Sequence, residues 1–214
     1  MGTVAKKDDV SLRPGIVHRL DKDTTGVIVC AKNEKAHANL SAQFKAKTNK
    51  REYVGLISGV PTQKVFTVNS YLGRHPTHRT KFISRSAEEI ENSESLRNNF
   101  RHAVTNIKVQ DVFGHRLSFC NIQLQTGRTH QIRVHLSSVG FPIVGDYLYG
   151  SKIHLPISFP EVVRKALAQV TRQMLHANLL GFTPPTTGIA VEFRADLPQD
   201  FFEVLKILEP YKIT

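Results

Sequence analysis

The sequence predicts an α+β fold built on a mixed, mainly antiparallel sheet with flanking helices. Three observations predict it. Short apolar or β-branched runs recur along the 214 residues; only a few segments carry helical spacing; and those segments interrupt the strands without regular βαβ alternation. No repeat of fixed period is present. With 40% hydrophobic residues, the chain can bury one sizeable core.

The elements follow in order. Val27 to Ala31 is a short apolar run that reads as a buried strand. Asn33 reads as an N-cap with Glu34 in the first turn, opening a helix that gathers Ala36, Leu40 and Phe44 on one face. That helix runs into the cations Lys45, Lys47, Lys50 and Arg51. Tyr53 to Ile57 reads as a strand closed by Gly59 and Pro61. Val65 to Ile83 reads as strands joined by a basic loop with Arg74, His75, His78, Arg79 and Lys81. Ser84 to Asn99 is polar, a loop or a short exposed helix. Two strands, Ala103 to Val109 and Leu117 to Leu124, flank a Gly114 turn. Thr129 reads as the cap of a helix reaching about Val139, with Gly140 as its stop. Met174 to Phe182 and Gly188 to Phe193 read as strands. Pro198 to Leu208 reads as an amphipathic helix with Phe201, Val204, Leu205 and Leu208 inward.

Lys and Arg total 29 against 18 Asp and Glu, for a net charge of +11 and a pI near 9.8. That balance favours a polyanionic partner, through phosphate contacts and counterion release. Charge alone does not separate nucleic acid from an anionic membrane surface. No run approaches the ~18 apolar residues of a membrane span, and Met1 to Val10 carry no apolar signal-peptide core. Cys30 and Cys120, each in an apolar stretch, read as buried thiols of a reducing compartment. A soluble, cytoplasmic protein is the expectation.

Three segments carry chemistry. In Gly15-Ile-Val-His-Arg-Leu-Asp21-Lys-Asp-Thr-Thr-Gly26, a carboxylate follows Arg19 and precedes a Thr-Thr-Gly turn, a place from which a scaffold presents reactive groups. The plainer alternative is an Asx turn, with Asp21 or Asp23 bonded to backbone amides. In Leu124-Gln-Thr-Gly-Arg128-Thr-His-Gln-Ile-Arg133-Val-His135, a helix from Thr129 would place His130 and Arg133 on one face, with Arg128 at an anion-favouring start. A solvated basic helix face is the alternative there. In Lys50-Arg-Glu-Tyr53, a Tyr beside cations could stack on a base, although a lone strand Tyr is more often a core residue. His18, His75, His78, His130 and His135 fit no standard zinc spacing, so no metal is expected.

These strings resemble the RluA-type pseudouridine synthases. HRLDKDTTG is similar to their HRLD-x-x-[TS]-[ST]-G signature. TGRTHQIRVHLSSVGFPIVGDYLYG resembles their second long signature. KREYVGLISG resembles the strand with their active-site Tyr, and RQMLHANLLGF matches a later pattern. Together they span about Ile16 to Phe193 in the family's order.

The resemblance implies a largely antiparallel sheet around a central RNA-binding cleft and isomerisation of uridine in structured RNA without cofactor or metal. Asp21 is then the catalytic carboxylate and Arg133 its basic partner. Tyr53 packs on the target uracil and assists removal of the C5 proton, and Ile132 lies against the flipped base. Arg19 fills the vacancy that the base leaves, offsetting part of the flipping cost. Arg74, Arg79, Lys81 and Arg128 are expected phosphate contacts, with His130 structural or RNA-contacting. The family's upstream strand with a Lys-Pro pair, and the S4 domain often before it, find no match. Residues 1–214 therefore read as one catalytic domain lacking its N-terminal part, and as a monomer. Ribosomal RNA of the large subunit is the favoured substrate. The competing readings are tRNA, a non-catalytic RNA-binding protein, and a glycoside-cleaving enzyme pairing Asp21 with Asp23 or Asp146.

Overall fold

The computed structural model describes residues 15–150 and 159–213. The chain opens with the two-residue strand β1 (Thr25–Gly26), then α1 (Glu34–Ala46), β2 (Lys50–Ser58), β3 (Val65–Arg74) and β4 (Phe82–Arg85). Two short helices follow, α2 (Ala87–Glu91) and α3 (Glu94–Asn99), then the long hairpin β5 (Arg101–Phe113) and β6 (Leu117–Leu124). The remainder comprises α4 (Gln131–Ser138), α5 (Glu161–Ala168), β7 (Leu175–Phe182), β8 (Val191–Arg194), α6 (Gln199–Leu208) and β9 (Lys212–Ile213).

All strands join one sheet in the order β1-β7-β2-β6-β5-β3-β4, with β8 on β7 and β9 on β5. Among the described residues only the β1–β7 pair is parallel. The expected fold class, α+β on a largely antiparallel sheet, is the observed one. Central β2 lies between β7 and β6 and buries Leu56 and Ile57 completely, as a strand covered on both faces must. Alternation along β6 sends Phe119 toward α6, edge-on to Phe201, and Leu124 into the cleft on the other face. Val163 of α5 joins Phe201, Val204 and Leu208 of α6 in the main core with Phe113 and Leu117. Each such side chain contributes about 1.5–3 kcal/mol by leaving water.

Several sequence expectations change. Val27 to Ala31 is not a strand: the pairing with β7 covers Thr25 and Gly26, Val27 N–H reaches Ala177 O, and the chain then leaves the sheet. Ile28 is accordingly 45% exposed, and Cys30, expected to be buried, is exposed, while Cys120 is buried. The polar stretch from Ser84 first completes β4 and then forms two helices, each started by a serine. Ser86 closes a capping box with Glu89, and Ser93 accepts from Leu96 N–H. Thr129 does not cap α4; His130 takes that place in the left-handed region at φ 57° without a side-chain cap bond. Gly188 belongs to the turn before β8, and α5 was not foreseen.

Candidate functional site

A cleft of about 440 Å³ opens where the Asp21 segment, the C-terminal end of α1, the start of β2 and the β6–α4 turn meet. Of the expected residues, Arg19, Asp21, Tyr53, Arg128, His130 and Ile132 all line it. Lys45, Lys47 and Arg51 add positive charge, and Asp21 brings the only carboxylate among the described lining residues.

The Asp21 loop is fixed from below. Thr24 N–H bonds back to Asp21 O, and Gln173, at the foot of β7, donates to Lys22 O and the Thr24 hydroxyl. His176 donates from Nε2 to Ala195 O, so its Nδ1 accepts from the Thr25 hydroxyl at 2.8 Å. Gly26 completes the clamp: at φ +125°, a Cβ would sit 2.2 Å from Ala177 O, a position open to glycine alone. The Asx-turn alternative does not hold: among the described residues the Asp23 carboxylate bonds to no backbone amide, and neither does the Asp21 carboxylate. Its one partner among the described residues is Arg133 Nη1, at 3.4 Å.

Arg133 lies under the cleft with its side chain 7% exposed. Its Nε and Nη2 donate to Asp146 Oδ2 and Oδ1 at 2.7 and 2.9 Å, and the guanidinium stacks 5.1 Å from the Tyr149 ring centroid. Burial works against its charge, yet Asp146 and then Asp21 raise its pKa above the ordinary value. Asp146 also accepts from Leu148 and Tyr149 N–H. A carboxylate so engaged cannot serve as the second acid of a glycosidase pair. The solvated-face alternative for α4 is equally excluded, since Gln131 to Leu136 are buried.

His130 and Arg133 share Tyr149. The Tyr149 hydroxyl accepts from Phe82 N–H and shares a 2.7 Å hydrogen bond with His130 Nδ1. Burial lowers the His130 pKa, which favours the neutral ring. Beneath α4, Gln131 accepts from the Thr126 hydroxyl and Arg128 N–H and donates to Val104 O and Thr105 Oγ1. His135 completes this layer between Ser70 and Thr105. Tyr53 is buried, and burial pushes its hydroxyl up to about 12. His18, also in the first signature, stacks on Phe44 with 4.4 Å between centroids and accepts Val29 N–H. Burial, with Arg51 close by, pulls it down to about 4.

Arg74 and Arg79 lie elsewhere. They sit exposed on the β3–β4 hairpin, where Arg74 covers the Phe82 ring and donates to Arg79 O. Lys81 lines a separate groove of about 460 Å³ beside Tyr149. Sequence reasoning gave no role to Tyr149, and treated Asp146 only as a possible second acid. Both lie within the second signature, but their partners are set by the turn after α4, which spacing does not reveal. Among the described residues no three His, Cys, Asp or Glu converge as metal ligands would, and no helix is long and apolar enough to cross a membrane.

Comparison with known proteins accords with this geometry. Ribosomal large subunit pseudouridine synthase D of Pseudomonas aeruginosa is 38% identical over 196 residues, covering 92% of this chain and 57% of that protein. RNA pseudouridine synthase 2, chloroplastic, of Arabidopsis thaliana is 37% identical over 208 residues, 92% of this chain and 47% of that one. The chain thus spans about half the length of the curated relatives it matches. The solved human RNA pseudouridylate synthase domain containing 4 shares the fold at a TM-score of 0.71 and 23% identity, over 93% of this chain and 76% of that chain. Residues 3–138 match the family model described as RNA pseudouridylate synthase, and the chain belongs to that family.

Proposed function

We propose that this protein isomerises uridine to pseudouridine in structured RNA, with Asp21 as the essential carboxylate. The observation that carries the reading is one carboxylate in a cleft whose other charged groups, among the described lining residues, are cations, with Arg133 as its one partner among the described residues. The cations attract the RNA backbone; the carboxylate works on the ribose. Two routes are open to it, attack at C1′ or removal of the 2′ proton, and both begin from a carboxylate that no backbone amide occupies. The C1′–N1 bond breaks, the uracil turns, C1′ bonds to C5, the C5 proton departs and N1 gains one.

Arg133 orients Asp21, and Asp146 holds Arg133 in place. Tyr53 enters as a neutral phenol, so its part in removing the C5 proton is a relay: it accepts that proton as it passes its own to water in the open cleft. Ile132 packs on the extruded base, Arg19 takes the vacated stack, and Arg128 and His130 contact the substrate from the β6–α4 turn. Arg74 and Arg79 bind RNA flanking the target, from the hairpin beyond the cleft. Large-subunit ribosomal RNA is the substrate we favour, supported by the name of the Pseudomonas aeruginosa relative. A single cleft per chain makes the monomer the expected working unit, in the cytoplasm with that RNA.

The test is tritium release from 5-tritiated uridine in unmodified ribosomal RNA, comparing the protein with Asp21→Asn. Release by the parent and a loss of at least about a thousandfold in the variant is expected. Equal release by both would remove Asp21 from the chemistry. RNA binding without release by either would favour a non-catalytic RNA-binding protein.

A further inference from the structure

The cleft holds one cation whose surroundings differ from those of its neighbours. Arg19, Lys45 and Lys47 are exposed, Arg128 Nε donates to His102 O, and Arg133 is paired with two carboxylates. Arg51 is partly buried, yet among the described residues its guanidinium has no ion pair and no hydrogen bond, and its Nε is fully shielded from water. Among the described residues packing alone fixes it. The guanidinium carbon lies 6.0 Å from the Phe44 ring centroid, and Phe44 is itself stacked on His18 of the Asp21 segment. On another side Nη1 fits against Gly127 so closely that a Cβ there would sit 2.5 Å away. Burial lowers the Arg51 pKa, so this charge is held with reduced solvation and, among the described residues, with no counter-ion.

Arg51 and Tyr53 stand two residues apart on β2. They therefore share the cleft-facing side, about 7 Å apart along the strand. That separation lies within the reach of one nucleotide from its base to its backbone phosphate. A guanidinium with unfilled donors in a fork geometry suits a phosphate, which can take two parallel N–H bonds. We propose that Arg51 binds the RNA backbone phosphate of the target nucleotide or of its immediate neighbour, anchoring the strand while the base reaches Tyr53 and Asp21. The inference rests on the RNA-isomerase reading and adds to it the site where the backbone is gripped. Lys45 and Lys47 widen the positive field, and Arg51 makes the directed contact.

The experiment measures binding of unmodified ribosomal RNA against salt concentration, together with tritium release. It compares the parent with Arg51→Gln, Arg51→Lys and Lys165→Gln, the last removing a charge from α5 outside the cleft. Arg51→Gln is expected to weaken binding about tenfold or more and to make the log–log salt slope shallower by about 0.7–0.9. The larger part of its activity loss should fall on KM. Arg51→Lys should restore the slope while recovering only part of the affinity, and Lys165→Gln should match the parent in both. A parental salt slope in Arg51→Gln overturns the proposal, as does an Arg51→Lys protein no better than the Gln variant, which would mark a packing role. A parent that binds RNA but releases no tritium sinks the isomerase reading instead, and the salt slopes still decide the phosphate contact.

Discussion

Arg133 donates to two carboxylates, and the two contacts are unequal. The pair of bonds to Asp146 at 2.7 and 2.9 Å fixes the guanidinium, and the 3.4 Å contact to Asp21 uses a donor that remains. Asp146 is thus a positioning residue for the cleft. Asp146→Asn should cost about 3 kcal/mol in urea unfolding, since removing one partner of a buried pair leaves the other uncompensated. Arg133 would then lose the bidentate anchor that aims its remaining donor at Asp21, and kcat should fall with the stability. A loss under about 1 kcal/mol would show that Asp21 replaces Asp146 as partner. Tyr53→Phe separates packing from proton transfer, because the ring stays and only the hydroxyl goes. RNA affinity should stay within about threefold while tritium release slows about a hundredfold; equal losses in both would assign the hydroxyl to binding. Asp21, Arg133 and Tyr53 were legible because each lies in a recognisable string. Asp146 was not legible in its actual role, because its use as an anchor depends on a turn that returns it to Arg133 from thirteen residues away.

At the scale of elements, α1 and α6 were readable because each carries a local signal. Asn33 caps α1 by accepting from Ala36 N–H, and α6 places Phe201, Val204 and Leu208 on one buried side. The apolar run Val27 to Ala31 misled because composition does not say which strand is available as partner: β7 offers its edge to Thr25 and Gly26 and then to β8. The cap of α4 was misplaced because the chain enters the helix through His130 in the left-handed region with no side-chain cap bond, while Gln131 in the first turn reaches back to Arg128 N–H. β1 is short, but it sets where Asp21 projects, and its dependence on Gly26 is testable. Gly26→Ala forces a left-handed residue against the Ala177 carbonyl. The strain and displacement should cost about 3 kcal/mol, with activity falling alongside. An alanine variant of parental stability and activity would mean that β1 can shift without moving Asp21.

Across the whole molecule, positive charge and buried neutral histidines act in opposite directions as pH falls. The net charge of +11 favours a polyanion at the cleft. Several histidines hold the fold by remaining uncharged: His18 ties the Asp21 segment to Val29, His135 sits in the polar layer under α4, and His176 clamps β1. Burial is the first cause of their lowered pKa values, helped by Arg51 for His18 and by His102 for His135; both of these lie near 4 against an ordinary 6.5. In the unfolded chain they take up protons below about pH 6.5, and in the folded chain only near 4. The unfolded state therefore binds more protons between those limits, so the stability is complete above pH 6.5, declines as pH falls toward 4 and is flat below. For wholly buried His135 the loss is on the order of 3 kcal/mol; half-exposed groups contribute less. Urea midpoints should fall steeply between pH 6.5 and 4.5, and His135→Asn, though less stable at pH 7, should show a slope shallower by about one proton. The layer beneath the cleft then sets the acid limit of the fold, and acid should abolish RNA modification by unfolding the protein while RNA attraction is still rising. A midpoint constant across that range would mean that these rings protonate in place, with Ser70 and Thr105 accepting from both nitrogens of His135.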